Sequence, residues 1–337
     1  MFGDFEKGCF MVAKWTSFAL AFTVLSALCG ASDADAQDPF NVRFSWKLKG
    51  EYAPFYLAQT KGLFVKEGLN VRLGEGAGAD AALGTLLQGG EDVVIVPGIY
   101  AMSAVSKGMP VKIIALYQPK APVGIVSHLD RPIVTPKDLE GKSLAATVGD
   151  TTMDYLKVFC SQNHVDCAKV KIVMMNVQAR LPQFMNKQVD GMSTYWNIDL
   201  PQLEFSSKQK FALLDVAKYG QIVPGLAVVA SNAAIDKNPE RLKKFLRALS
   251  AGFDATKDDP SGAARALLDA WQGGPPAEVV DTQVRLSNKT FPVESDKPRG
   301  WTDEAVISSA ANLLVESGQI EEVKPLDTYF TNSLLSK

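Results

Sequence analysis

The 337-residue sequence contains only two histidines, His128 and His164, and four cysteines. So few histidines leave little material for imidazole acid–base chemistry or a histidine-rich metal centre. Neither stands beside a candidate nucleophile, and His128, next to a strand end and Asp130, reads as a surface loop residue. Four cysteines do not make a disulfide scaffold at this length. Charge of one sign is lacking too. With 35 basic against 37 acidic residues and a formal net charge of −2, bulk attraction to a nucleic-acid backbone is excluded. No Gly-x-Ser-x-Gly and no His-Glu-x-x-His occurs, so serine-hydrolase and zincin signatures are absent. Gly76-x-Gly78 lacks the third glycine of a dinucleotide fingerprint. No cofactor is expected.

What is present is a globular composition, 47% apolar, on a chain long enough for two domains. The longest apolar run, Phe18 to Cys29, follows Lys7 and Lys14 and precedes Ala34-Asp35-Ala36. A basic start, a short apolar core and an Ala-x-Ala end describe a secretory signal peptide over residues 1–36, cleaved after Ala36. The alternatives are an uncleaved anchor, for which the run is short of the roughly 20 residues a bilayer needs, and lipidation at Cys29, where Leu28 replaces the expected small residue. Without residues 1–36 the chain has 33 basic and 33 acidic residues. Any charge selectivity must then be local. Cys160 and Cys167 also remain, with six residues between them. In an oxidising compartment they are expected to form a disulfide. The alternatives are free thiols or a metal site that uses His164 and Asp166 as well.

From Asn41 onward, short β-rich runs alternate with helical stretches. Asn41–Trp46, Leu69–Leu73, Val93–Val96 and Val111–Leu116 read as strands. Pro54–Lys61, Asp80–Leu87 and Ile99–Lys107 read as helices between them, stopped by glycine. The rhythm restarts at Gly124 and runs to Ala230, with a helix from about Thr152 to Ser161 and a strand over Gly191–Tyr195, and the remainder is mainly helical. Such alternation means βαβ units, mostly parallel sheets and an α/β fold. Ligands of open parallel sheets bind beyond the carboxyl ends of the strands. Those ends carry Trp46, Lys47 and Tyr52, then Gly76, Ala77 and Gly78, then Pro97 and Tyr100, then Tyr117. In the second half they carry Gly149, Asp150, Thr151 and Thr152, then Tyr195 and Trp196. Aromatic faces suit a planar ligand, and glycine turns before helices offer amides to polar groups. Ordinary core packing and ordinary βα turns use the same residues. Lys47 and Arg180 could each pair with an anion or serve as surface charges.

Tyr52-Ala53-Pro54-Phe55-Tyr56-Leu57-Ala58, Lys61-Gly62-Leu63-Phe64, Glu67-Gly68-Leu69-Asn70-Val71 and Asp138-Leu139-Glu140-Gly141-Lys142 resemble the substrate-binding proteins of ABC importers. The likeness is to the nitrate/sulfonate/taurine group, which shares a domain with the NMT1/THI5 pyrimidine-synthesis proteins. The resemblance covers Asn41 to Phe253. It implies a two-lobed periplasmic binding protein fold (type II-like), each lobe a mostly parallel sheet flanked by helices. Lobe 1 would be 37–121 with 225–337 and lobe 2 would be 122–224, with crossovers near Pro119–Val123 and Val223–Gly225. It also implies a monomer in the periplasm that closes on a small solute and delivers it to a membrane permease, with no nucleic-acid partner. Ligand contacts are implied at Trp46, near Tyr52, at the Gly76 turn, near Pro97, at the Gly149 turn and at Tyr195-Trp196. The two tryptophans would stack on the ligand from opposite lobes. Glu51-Tyr52 stands where pyrimidine-binding relatives often carry histidine, and the cysteine cluster of the synthesising enzymes is missing. The aromatic lining points to an aromatic or heteroaromatic solute, with or without a carboxylate or sulfonate group. The alternative is an enzyme related to pyrimidine synthesis, or another exported α/β enzyme.

Overall fold

The computed structural model describes residues 38–336, Val148 excepted. The expected signal segment, residues 1–36 with its cleavage point after Ala36, lies outside the described residues. Ten strands form two five-stranded sheets. The first contains β1 (Asp38–Phe44), β2 (Leu69–Gly74), β3 (Val93–Pro97), β4 (Val111–Leu116) and β10 (Leu226–Ser231), in the order β2-β1-β3-β10-β4. The second contains β5 (Val123–His128), β6 (Ser143–Ala146), β7 (Lys171–Met174), β8 (Gly191–Tyr195) and β9 (Phe211–Asp215), in the order β7-β6-β8-β5-β9.

Each sheet has one strand antiparallel to its neighbours, β10 in the first and β5 in the second. The cause is connectivity. A helix between two strands returns the chain to the starting edge, so β1, β2 and β3 run parallel. The chain leaves the first sheet at the carboxyl end of β4, crosses over 117–122, and enters the second sheet from the matching edge, so β5 runs in reverse. The return over 216–225 does the same for β10. Both crossings therefore lie at the edge where the carboxyl ends of the parallel strands gather, which is where this architecture places ligands.

The strands β3, β4, β5 and β10 are mainly apolar because both faces are covered. Val93, Val94, Ile95 and Val96 are fully buried, as a short continuous apolar run predicts. The helix Pro239–Asp258 packs Leu242, Phe245, Leu246, Leu249 and Phe253 inward, the spacing of one helical face. It crosses the helix Ala53–Thr60 at Gly252, where an added Cβ would lie 2.7 Å from the Ala58 Cβ. One buried cluster runs through both sheets' flanks, joining Leu83, Met102, Ile307 and Leu314 to Leu144, Tyr155 and Phe159. Among the described residues no helix is long and apolar enough to cross a membrane.

Four expectations change. The helix expected over Thr152–Ser161 is two pieces, Thr151–Asp154 and Leu156–Gln162. His128 is buried, not a surface residue: its Nε2 lies 2.9 Å from the Phe184 carbonyl oxygen and its ring stacks on Phe184 at 4.4 Å. Tyr117 is core, stacked on Phe253 at 3.9 Å with its hydroxyl on Ser250. Cys160 and Cys167 are free thiols, not the expected disulfide. Cys160 is buried on the helix Leu156–Gln162, and Cys167 opens the turn Cys167–Lys169 with Sγ 4.0 Å from the Leu156 carbonyl oxygen. Burial, and then the adjoining Cys167 thiol, push Cys160 up to about 12, so it stays a protonated, poorly nucleophilic thiol. Among the described residues no cluster of three or more metal-ligating side chains occurs.

Candidate functional site

Where the two sheets face each other, a small cavity of about 10 Å³ is lined by Ser45, Lys49, Glu51, Tyr52, Pro97, Gln118 and Tyr195, with Ile95 and Val96 of β3 and Gly225 and Leu226 at the start of β10. That volume is at the lower limit for a single water molecule, so the halves are closed on one another. Its polar centre is an ion pair. Lys49 Nζ lies 2.5 Å from Glu51 Oε2, and Glu51 is 2% exposed. A three-residue turn, Gly50–Tyr52, bends the chain between the two charges. Gly50 fits there because Gln283 fills the space a side chain would need. An added Cβ would lie 2.4 Å from the Gln283 Cβ, and Gln283 Oε1 accepts the Gly50 N–H at 3.1 Å.

Aromatic faces surround the ammonium. Lys49 Nζ is 5.0 Å from the Tyr52 ring centroid and 5.4 Å from that of Tyr195, within cation–π range. Burial disfavours the charge on Lys49, but Glu51 and the two tyrosines outweigh it and hold its pKa above the ordinary ammonium value. Burial raises both tyrosines, so they stay neutral. Tyr52 also stacks on Phe44 at 4.0 Å, so one face is core while the residue also lines the cavity. Gln118 is committed elsewhere: Nε2 donates to Thr290 at 2.7 Å and Oε1 accepts the Leu226 N–H at 3.3 Å. Glu51 Oε1 is different. It is buried and has no hydrogen-bond partner among the described residues.

Hydroxyls bridge the halves beside this cavity. Thr151 Oγ1 lies 3.1 Å from the Tyr100 hydroxyl, which comes from the first half, and 3.2 Å from the Tyr195 hydroxyl. The Tyr100 hydroxyl also donates to the Gly149 carbonyl oxygen at 3.2 Å. Gln283 makes a second bridge, donating to the Ile198 carbonyl oxygen at 2.9 Å while it holds Gly50. Asn197 Nδ2 donates to Ser287 Oγ at 2.9 Å.

The expected site residues separate into groups. Tyr52, Pro97 and Tyr195 line the cavity, and Tyr100, Gly149 and Thr151 form the bridge next to it. Gly76 and Gly78 do not offer free amides: they donate to the Trp46 and Ser45 carbonyl oxygens at 3.2 and 2.8 Å. Ala77 between them is exposed. Asp150 caps its own helix, accepting the Thr152 and Met153 N–H groups, and takes Arg180 Nη1 at 3.3 Å and the Ser193 hydroxyl. The Thr152 amide is thereby used within the chain, as is the Arg180 charge. Lys47 is exposed and points to Glu75, 3.5 Å away. Trp46 is 54% exposed. Trp196 turns to the crossover instead. Its backbone N–H donates to the Pro122 carbonyl oxygen at 2.9 Å, and the residue lines an open depression of about 460 Å³ with Pro119, Pro122 and Lys289. Trp46 lines neither this depression nor the cavity. Lys49 and Glu51 are the central residues that strand-end reading passed over.

Two sheets joined by two crossings, with a polar cavity between facing strand ends, define the periplasmic binding protein fold. The chain belongs to the NMT1/THI5-like family, whose model matches residues 49–263. It resembles the aliphatic sulphonate binding protein SsuA of Escherichia coli at a TM-score of 0.70, with 16% identity over 87% of this chain and 92% of that one. A Bacillus subtilis (strain 168) protein named for binding, YtlA, is 24% identical over 85% of this chain and 86% of its own. A 4-amino-5-hydroxymethyl-2-methylpyrimidine phosphate synthase of Aspergillus parasiticus is 23% identical over 67% of this chain and 68% of its own.

Proposed function

We propose that the protein is the extracytoplasmic solute-binding component of an ABC importer, with 37–121 and 225–337 as one lobe and 122–224 as the other. It takes up a small aromatic or heteroaromatic solute between the lobes and presents the closed form to a membrane permease. The observation that carries this is the cavity itself, whose walls come from both sheets and which is too small in the closed form to admit a solute. Entry then requires the lobes to part about the two crossings, and closure retains what has entered. The fold shared with a sulphonate binding protein and the likeness to YtlA support the reading. The binding-protein fold of the former also supports an extracytoplasmic location.

Native mass spectrometry of protein purified from cells, followed by a thermal-shift panel of small solutes, tests it. A bound solute at ~100 times its dissociation constant adds about 2.7 kcal/mol to stability, and one-to-one binding without chemical change is the expected result. The synthase relatives favour one other reading, an enzyme of pyrimidine metabolism. Sustained product formation by the isolated chain would replace the transport reading with that one.

Closure makes a further expectation. Removing the Tyr100 hydroxyl deletes its bonds to Thr151 and Gly149, worth about 0.5–1.5 kcal/mol. Tyr100→Phe is expected to shift the closed-to-open ratio toward open by about two- to tenfold. Small-angle scattering of the solute-free protein reads this as a larger radius of gyration. An unchanged radius with unchanged solute affinity would remove Tyr100 from the closure mechanism.

A further inference from the structure

The open depression of about 460 Å³ beside Trp196 shares no residue with the cavity between the sheets, and it has the size of a small-molecule pocket. Its apolar lining is Trp196 with Pro119, Pro122 and Pro292. Three lysines join them, each from a different stretch of chain. Lys120 comes from the first crossing, Lys218 from the return crossing, and Lys289 from just beyond the helix Ala277–Asn288. All three are exposed, and among the described residues none lies within ion-pair distance of a carboxylate. Asp215 is the acidic residue of the lining, and it caps the turn Val216–Tyr219 by accepting the Ala217 N–H at 3.2 Å. Three lysines against one aspartate leave a local excess of two positive charges. Donors exceed acceptors as well: Trp196 Nε1 is buried and has no partner among the described residues, which is uncommon in a folded chain.

We infer that this depression is a second binding site, for an aromatic ring that carries two or more carboxylates, and that its occupant ties the two halves together across the crossings. The ring packs on Trp196 and the prolines, which offer flat apolar surface, while the carboxylates reach the lysines. A charge pair at an exposed lysine is weak by itself. One carboxylate therefore gains little, whereas several on a rigid ring act together without further loss of freedom. The tie follows from where the lysines come from. Lys218 closely follows β9 of the second sheet. Lys289 follows the helix whose Gln283 holds Gly50 at the end of the first sheet. An occupant paired with both is bound only while the halves keep this arrangement, so it favours that arrangement in return. None of this rests on what the cavity between the sheets binds.

Calorimetric titration of the wild-type chain tests this with three probes: benzene-1,3,5-tricarboxylate, benzoate and propane-1,2,3-tricarboxylate. The first is expected to bind one to one and at least about fivefold more tightly than either of the others. Benzoate keeps the ring with a single charge, and the propane compound keeps the charges without the ring. Affinity for the aromatic tricarboxylate should fall as salt is raised, because the lysines are exposed. Lys218→Gln and Lys289→Gln should each weaken it by about two- to fivefold, whereas Lys66→Gln, an exposed lysine outside the depression, should leave it unchanged. Thermal midpoints confirm that the variants fold. If the aromatic tricarboxylate does not bind, or binds with an affinity that neither Lys218→Gln nor Lys289→Gln alters, there is no site here. Equal binding of the propane compound overturns the assignment to an aromatic ring. A loss at only one of the two lysines overturns the tie between the halves.

Discussion

Lys49→Met is expected to lower the stability of the solute-free protein by roughly 3–5 kcal/mol, the cost of removing one member of a buried ion pair. The loss comes less from the missing attraction than from what stays behind. Glu51 is 2% exposed, its Oε1 has no partner, and Oε2 would lose the ammonium 2.5 Å away. A carboxylate stranded there can relieve itself only by taking up a proton. The deficit of the variant should therefore shrink as the pH falls toward ordinary carboxylate values, and widen above them. The wild type behaves differently. The Lys49 pKa is raised in the folded state, so its contribution is fully present below the unfolded lysine value of ~10.4 and is lost only as pH rises through the still higher folded value. Between about pH 6 and 9 the wild-type Lys49 charge should add no slope. The double variant Lys49→Met/Glu51→Leu removes both charges at similar volume and should recover much of the loss. Urea unfolding of the wild type, both single variants and the double variant gives the coupling directly. If the double variant is no more stable than Lys49→Met, the pair is not the coupled unit described here.

The same pair marks the limit of what the sequence conveys. Val93–Val96, Val111–Leu116 and Gly191–Tyr195 are legible as strands because short apolar or β-branched runs end at turn residues. The βαβ rhythm carries the fold class. The strand order, and the reversal of β5 and β10, depend on where the chain crosses between sheets, which no local period records. The helix Asp199–Ser207 escaped because only Pro201 and Leu203 on it are buried, too few to make a periodic face. Tyr52, Pro97 and Tyr195 were legible as strand-end residues. Lys49 and Glu51 were not, because residues two apart do not face each other on a helix, and only the turn at Gly50 folds one charge back on the other. Opposite charges flanking a glycine just beyond a buried strand are the signal that could have found them. Trp196 misled for the converse reason: one residue past the strand end, it lies against the crossover residues Pro119 and Pro122 and lines the depression there, not the cavity.

Gly76→Ala is expected to destabilise the protein by about 3 kcal/mol, the upper end of the usual cost of overpacking or beyond it, although nothing in the sequence separates this glycine from its neighbours. An added Cβ would lie 1.9 Å from the Phe44 carbonyl oxygen and 3.0 Å from the Ser45 carbonyl carbon. Both are main-chain atoms at the end of β1, and neither can swing aside as a side chain can. To make room, β1 must shift, and with it Phe44, which stacks on Tyr52, and Ser45, which accepts the Gly78 N–H. Ser45 and Tyr52 line the cavity, so any solute affinity should fall together with stability. Two neighbours calibrate the effect. At Gly74 the nearest atom to a new Cβ is the Arg43 Nη1, at 2.8 Å, the tip of a flexible side chain. Gly74→Ala should cost below about 1 kcal/mol. At Gly78 there is open space but a φ of +131°, a conformation that costs a substituted residue about 1–3 kcal/mol in backbone strain. Thermal unfolding of the three variants should rank Gly76→Ala lowest and Gly74→Ala nearest the wild type. A Gly76→Ala protein that unfolds like the wild type yet loses its solute would return this turn to the ligand-binding role that its spacing first suggested.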